Sequence, residues 1–501
     1  MAGKPEIAGE GRLSRRAAGA VGWSIIRFGG DQVFGFMVFA ALAHRLEPAA
    51  FGIFIVGLAV AEVGKIIAQG GLVSSLYRVS EITPRLADTV FWGNIGMALL
   101  VTLACIVLRH PLAGAMGSPS AGPVIAALGC VVPISAAGAS HMSRTLRVFG
   151  HRALAIRSLA AGLVGGALAL LAAQAGWGVW ALVAQRCVNE VIGTIVAWHA
   201  FRWRPGLQFS WSTLRTQWRL GAGVAGAQLL LVALNRTQDI ILGRVIGLPG
   251  VGVYRTAWKS IEVVAQGVIG PFATVAVPTL AKLQHDMPAF RRGYVRMVSA
   301  CAIIAFPAIA GIGVLADALI PLFFGPQWDE SVAITRVLCL LAPPFALNFF
   351  ADPALTVLGK AGVMARLAGI QLVLTLLFCL VSAPYGLVWF AVAYVTRAYV
   401  TLALQLVLLQ RATGVRAIEV IRGVAPALGA ALVMTIVVWG TGDTMPVAGG
   451  PKSLAALARI AFLVTQGSLV YVAVVLAFMG RSRRTELMDC LRDLGIVRQL
   501  P

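Results

Sequence analysis

A chain of 501 residues that is 59% hydrophobic and only 12% charged, with a mean hydropathy of +0.85, lies outside the composition of water-soluble domains. Its net charge of +21 does not mark a nucleic-acid binder, because the basic residues alternate with apolar segments instead of gathering in one patch with interleaved aromatics. The seven cysteines contain no CxxC pair, and all but Cys490 sit in apolar segments, so neither a disulfide framework nor a metal site is expected.

Lipid is the solvent such a chain requires, and only helices and closed barrels satisfy their backbone there. Reading apolar segments between charged or Gly/Pro-rich connectors predicts an all-α polytopic membrane protein of about fourteen transmembrane helices. The first, 20–43, follows basic residues and carries Ala41-Leu42-Ala43, which imitates a signal-peptide cleavage site. It is too long for a signal core and is interrupted by Arg27 and Asp31, so it is read as a permanent span. The others are 51–77, 88–108, 122–140, 153–174, 177–200, 220–246, 250–277, 297–316, 331–357, 363–382, 386–409, 423–440 and 458–479. With the N-terminus inside, basic loops such as Arg144/Arg147/Arg152, Arg202/Arg204/Arg215/Arg219 and Arg411/Arg416/Arg422 fall on the cytoplasmic side. Only Arg45, Arg109, Lys452 and Arg459 fall on the other, which places both termini in the cytoplasm.

The chain reads as a duplication. Leu46-Glu47-Pro48-Ala49-Ala50-Phe51-Gly52 joins the first two spans, and Ile246-Gly247-Leu248-Pro249-Gly250-Val251-Gly252 joins the seventh and eighth. Six spans thus pair with six as a parallel repeat. The expected organisation is a cytoplasmic N-terminal segment 1–19, a six-helix lobe 20–205, a cytoplasmic linker 206–219 and a second six-helix lobe 220–410. An extra helix pair 411–480 and a cytoplasmic tail 481–501 follow. In the tail, Leu487, Leu491, Leu494 and Val497 recur at helical spacing and predict an interfacial helix.

Charge inside the spans is the informative feature, since each such residue costs about 2.5 to 3.5 kcal/mol at the bilayer centre unless it faces water or a partner. Arg27 and Asp31 share a face of the first helix, Glu62 and Lys65 of the second, Arg186 and Glu190 of the sixth, Arg255, Lys259 and Glu262 of the eighth. Arg236 and Asp239 lie in the seventh, and Arg397 lies in the twelfth with Tyr394, Thr401 and Gln405. Arg244 and Arg336 lie near span ends, where they can snorkel. Spans three, five and thirteen are expected to face lipid. The set predicts a central hydrophilic cavity with more bases than acids, suited to an anion. Arg27, Lys65, Arg186, Arg236, Arg255, Lys259 and Arg397 are the candidate substrate-binding residues; Asp31, Glu62, Asp239 and Glu262 are candidate coupling or structural acids. Each could equally be half of a structural ion pair, such as Arg27 with Asp31.

Other motifs have plain explanations. Gly221-Ala222-Gly223-Val224-Ala225-Gly226 matches GxGxxG, but no strand precedes it and it opens an apolar helix, which makes it a packing feature. No Walker motif or HExxH spacing is present. Loops under about twenty residues leave little room for a membrane enzyme's site. Pro133, Pro271, Pro307 and Pro343-Pro344 should kink or interrupt their helices.

Leu42-Ala43-His44-Arg45-Leu46 followed by Pro48 and Phe51-Gly52, with Gly22-Trp23-Ser24 before it and Gly71-Leu72 and Tyr77-Arg78 after it, resembles the polysaccharide transporter (lipid-linked oligosaccharide flippase) family. Asp239, Gly243-Arg244, Gly247, Gly252, Tyr254, Ala257, Pro278 and the segment 280–286 resemble its second lobe. The likeness covers roughly residues 20–410 and is carried by the set of motifs rather than by any one of them. It departs at His44, where the family carries Arg, and at Gln238, where the acidic residue is expected and Asp239 comes one position later. One position is about 100° of helix rotation. The resemblance implies a superfamily shared with multidrug/toxin extruders and the peptidoglycan-precursor flippase. It also implies two V-shaped lobes, and transport of polyprenyl-diphosphate-linked oligosaccharide across the bacterial inner membrane for exopolysaccharide, capsule or lipopolysaccharide synthesis. No cofactor, metal or catalytic residue is expected. The partners implied are that lipid-linked glycan, membrane lipid, and a polysaccharide polymerase with other export components. The alternative function is a multidrug or small-solute exporter, for which a cavity dominated by carboxylates and aromatics is expected instead.

Overall fold

The computed structural model describes residues 30–73, 76, 82–147, 151–444 and 453–478. Most of these residues are helical, with no strand among them. Ten of the described helices are long and apolar enough to cross a membrane, or eleven if one bent pair is a single span. Three expected spans fall outside this count: the first, whose described part is the short apolar helix α1 (Gly30–Ala43), the seventh and the eighth. The fourteen-span count therefore remains an expectation. The predicted tail helix and Arg27 lie outside the described residues.

Chain contacts divide the molecule into a unit of residues 1–252 and a unit of residues 253–501. In the first, α2 (Pro48–Gln69) starts on a proline whose missing N–H costs nothing at a helix N-terminus, and stops where Gly70 and Gly71 adopt positive φ. Gly57, Ala61, Gly64 and Ala68 recur on one buried face of α2. Such small residues let neighbouring backbones approach where lipid supplies no hydrophobic drive. Gly57 thereby receives Val124 and Leu128 of α5 (Gly122–Gly129), and Gly64 receives Val101 of α3 (Pro84–Val107). Between α3 and α5 lies the short α4 (Arg109–Ala115). α6 (Val131–Arg147), α7 (His151–Gln174) and α8 (Val179–Ala200) complete this group, α8 packing on both others.

The basic stretch after α8 is pinned to the start of α3. Buried Asp88 accepts hydrogen bonds from the backbone amides of Gly206 (3.0 Å) and Gln208 (3.4 Å), while the Trp92 indole donates to the Gly206 carbonyl (2.8 Å). Ser210 then caps α9 (Trp211–Val245), which begins inside the stretch expected to be linker and packs on α2 and α3. The GxGxxG segment is a packing feature: a methyl group at Gly221 would collide with Gly70 and Gly71. The repeated turn shows the same device twice. A methyl at Gly52 would overlap Leu248, and one at Gly252 would overlap Pro48, so the starts of α2 and α10 (Leu248–Val264) meet through reciprocal glycines.

The unit boundary falls within α10. Beyond it, a wider π-helical turn at Ala265–Ile269 precedes Pro271 near the start of α11 (Gly270–Leu283), and α12 (Met287–Val314) runs unbroken through Pro307. After α13 (Ala316–Phe323), α14 (Glu330–Cys339) and α15 (Ala342–Val357) meet at 54°, with Pro343 and Pro344 at the new helix start, as the proline pair predicts. α16 (Ala361–Ser382) leads to α17 (Leu387–Thr413), whose last carbonyls are held by two cations: Lys360 Nζ to Ala412 (2.5 Å) and Arg291 Nε to Thr413 (3.3 Å). α18 (Ala417–Thr444) packs on α12 and on α19 (Leu454–Phe478), where the Tyr471 hydroxyl donates to the Ile303 carbonyl at 2.7 Å. Leu99, Leu103 and Val107 of α3, and Leu432 and Ile436 of α18, are exposed side chains suited to lipid.

Candidate functional site

The charges of the first unit assemble into two adjoining clusters. In the first, Glu190 of α8 is buried, and three bases from three helices close on it. Lys65 Nζ of α2 lies 3.1 Å from Glu190 Oε1, Arg186 of α8 lies 3.0 Å from the same oxygen, and Arg157 of α7 lies 3.9 Å from Oε2. The side chains of the three bases keep 29 to 32% of their surface exposed against 8% for Glu190, so the carboxylate is sealed and the cations remain reachable. The Arg157 guanidinium lies over Gly193, one turn beyond Glu190, where any side chain would displace it. A cavity of about 380 Å³ opens beside this cluster, bounded by α1, α7 and α8 and bordered by Asp31, Arg157, Arg186, Asn189 and Glu190. On its α1 side the Ser158 hydroxyl donates to the Asp31 carboxylate.

The second cluster joins α2 to α9. Arg236 donates through Nε (2.9 Å) and Nη2 (2.7 Å) to Glu62 Oε2, and through Nη1 (3.3 Å) to fully buried Asp239. One guanidinium thus bridges two acids, a geometry that its rigid fork suits and an ammonium does not. The candidate acid Asp239 therefore stands beside the candidate base Arg236. Taken together, Lys65, Arg157, Arg186 and Arg236 face Asp31, Glu62, Glu190 and Asp239, four charges of each sign. Positive surplus in the described part of this unit is local: it sits around Glu190, where three bases share one acid.

In the second unit, Lys259 Nζ pairs with Glu262 at 3.1 Å, and Arg255 sits half-buried one turn earlier on α10. Arg397 of α17 is 8% exposed, its guanidinium 4.2 Å over the Tyr394 ring, which in turn meets Trp258 edge-on. Arg336 reaches Asp317 at 3.5 Å with both side chains about half exposed, and Arg244 donates to the Ala115 carbonyl at 3.3 Å. Both sit near helix ends as expected.

Arg157 is the functional candidate that sequence reasoning missed. Span five reads as lipid-facing because α7 is apolar from Leu159 to Ala173, where Leu163, Val164 and Leu171 are exposed. The signal present in the sequence is Arg157 followed by Ser158 near the start of that apolar helix, both of which line the cavity. Among the described residues no group of three or more His, Cys, Asp or Glu side chains could hold a metal ion.

Comparisons with known proteins agree with this architecture. Among solved structures, the lipid II flippase MurJ in an inward closed conformation superposes with a TM-score of 0.72 over 91% of this chain and 98% of that one, at 11% identity. An inward-facing multidrug resistance MATE family transporter gives 0.58 over 77% of this chain and 94% of that one, at 15% identity. These likenesses establish the fold. In sequence, the succinoglycan biosynthesis transport protein ExoT of Rhizobium meliloti (strain 1021) is 26% identical over 320 residues, covering 64% of this chain and 65% of that protein. The lipopolysaccharide biosynthesis protein WzxC of Escherichia coli (strain K12) is 23% identical over 310 residues, 61% and 63% of the two chains. The teichuronic acid biosynthesis protein TuaB of Bacillus subtilis (strain 168) is 21% identical over 279 residues, 55% and 58%. The chain thus spans 58 to 65% of the length of these curated relatives. The polysaccharide biosynthesis protein family matches residues 41–333, more than half of the chain. This multi-pass helical membrane protein, with its polar clusters held between apolar helices, belongs to the polysaccharide biosynthesis protein family.

Proposed function

We propose that the protein is a flippase that moves polyprenyl-diphosphate-linked oligosaccharide across the bacterial inner membrane by alternating access, with both termini in the cytoplasm. The observation that carries this reading is the cluster of Lys65, Arg157 and Arg186 on a single buried carboxylate. Cations kept inside a membrane domain at this cost have a charged ligand or a partner to offset it, and Glu190 offsets one of three. A diphosphate supplies the complementary charge, while the polyprenyl tail can stay in lipid. The relatives' names, which speak of succinoglycan transport and of lipopolysaccharide and teichuronic acid biosynthesis, point to the same substrate class. Lys259, Arg255 and Arg397 are the candidate contacts in the second unit, with Glu262 paired to Lys259. Arg27 is retained as a candidate from its sequence position alone.

A gene-deletion strain tests this. The strain should accumulate lipid-linked repeat units and lose surface glycan. The wild-type chain should restore export, and Lys65→Ala or Arg186→Ala, at normal membrane levels, should not. Unchanged surface glycan in the deletion strain, accompanied by loss of drug tolerance, would instead favour a multidrug or small-solute exporter.

A further inference from the structure

The arrangement around Glu190 carries a second step, which rests on the flippase reading. A site of three cations poses two problems. Empty, it leaves like charges facing one another with little water to screen them. Loaded, it holds a diphosphate through several charge-assisted hydrogen bonds, too tightly for a carrier that must let go. Glu190 addresses both. Its Oε1 takes Lys65 and Arg186 at 3.1 and 3.0 Å, while Oε2 accepts no hydrogen bond among the described residues and faces the more distant Arg157, at 3.9 Å. Arg157 is therefore held close by charge, without being hydrogen-bonded to the carboxylate, and it borders the 380 Å³ cavity. That volume is at the small end of ligand pockets, enough for an anionic head group and not for an oligosaccharide. The nearby acids Glu62 and Asp239 engage Arg236, and Asp31 accepts from Ser158, so Glu190 is the acid that meets the three bases.

We propose that Glu190 is a resident competitor for the substrate. In the unloaded protein its carboxylate takes the position between Lys65, Arg157 and Arg186 that a phosphate group of the lipid-linked diphosphate takes on loading, and its return drives release. Arg157 makes first contact with the incoming phosphate. Lys65 and Arg186 are the bases that exchange partners. The consequence is an inverse relation between affinity and turnover: weakening the competitor tightens binding and slows release.

The test uses the full-length protein in nanodiscs of neutral lipid, with inorganic diphosphate as probe and binding read by calorimetry. Glu190→Gln should bind diphosphate about tenfold or more tightly than wild type, in line with the coupling of close charge pairs, while exporting less glycan in cells. Because removing the carboxylate could leave three bases too poorly compensated to fold, Glu190→Asp provides a second variant. It keeps the charge but withdraws it by one methylene, and should tighten binding by a smaller factor. Arg157→Gln should weaken binding. Unchanged or weaker diphosphate binding in Glu190→Asp, or in a well-folded Glu190→Gln, would overturn the competitor role. That result would leave the flippase reading intact as long as Lys65→Ala still abolished export. Binding that vanishes when the nanodisc lipid is changed to phosphatidylglycerol would assign the site to a phospholipid headgroup, and would also overturn the proposal.

Discussion

At the scale of single residues, the two clusters of the first unit differ in what a substitution should do. Arg236 is saturated by Glu62 and Asp239. Arg236→Ala should therefore act on stability first, by roughly 3 kcal/mol, the low end for breaking a buried pair because Glu62 keeps 27% of its side chain exposed. A thermal melt in detergent should show the loss, and Arg236→Lys should recover only part of it, since one ammonium cannot bridge both acids. Lys259 poses the opposite case. It is paired to Glu262 with both side chains partly exposed, an arrangement that contributes little to stability. Lys259→Ala should insert normally and export poorly, and adding Glu262→Ala should not restore export. A double variant that exports normally would show that the pair is structural only. The sequence made these local partnerships visible, since Arg186 with Glu190, Arg236 with Asp239 and Lys259 with Glu262 lie three or four residues apart on one helix. It could not show that Lys65 meets Glu190 across 125 residues of chain, or Glu62 meets Arg236 across 174, because those meetings depend on helix packing. Arg157 escaped for the same reason: nothing on its own helix announces the acid it faces.

At the scale of elements, close approach through glycine organises the first unit. Gly52 and Gly252 each admit the backbone of the other's helix start, and Gly71 and Gly221 do the same where α2 ends against α9. Gly52→Ala and Gly252→Ala should each lower the melting temperature, by a degree or more, because a carbonyl or backbone atom stands where the methyl must go. The double variant should cost less than the sum, since the first methyl already separates the two starts. Strict additivity in the melts would contradict the shared contact. The duplication made the equivalence of these two turns readable from Pro48-to-Gly52 and Pro249-to-Gly252. Their mutual contact was not readable, because an internal repeat fixes which segments correspond and leaves open which ones touch. The bend at Pro343-Pro344 was legible, as a proline pair cannot continue a helix from the preceding turn. Of the three expected spans outside the count, the first is described only over Gly30–Ala43 and the eighth is cut to 17 residues by the π-helical turn, so both fall short in length, while the seventh is long but diluted by polar residues such as Asn235, Arg236 and Asp239.

For the whole molecule, the loop charges predict sidedness that labelling can check. Ser212→Cys and Arg416→Cys, both at exposed positions beside basic stretches, should react with an impermeant thiol reagent only after the membrane is opened. Tyr385→Cys, at an exposed turn between α16 and α17, should react in intact cells. Labelling of Ser212→Cys and Tyr385→Cys from the same side would rule out the alternation on which the fourteen-span reading depends. The central claim concerns movement of a diphosphate-linked glycan lipid, and it is tested most directly with the purified protein in sealed liposomes. The liposomes would be loaded with polyprenyl-diphosphate oligosaccharide, and the glycan followed as it becomes accessible to an external lectin. The account predicts faster exposure than in protein-free vesicles, with most of that gain lost in Lys65→Ala and in Arg186→Ala. Exposure no faster than in empty vesicles, or equally fast in both variants, would contradict it.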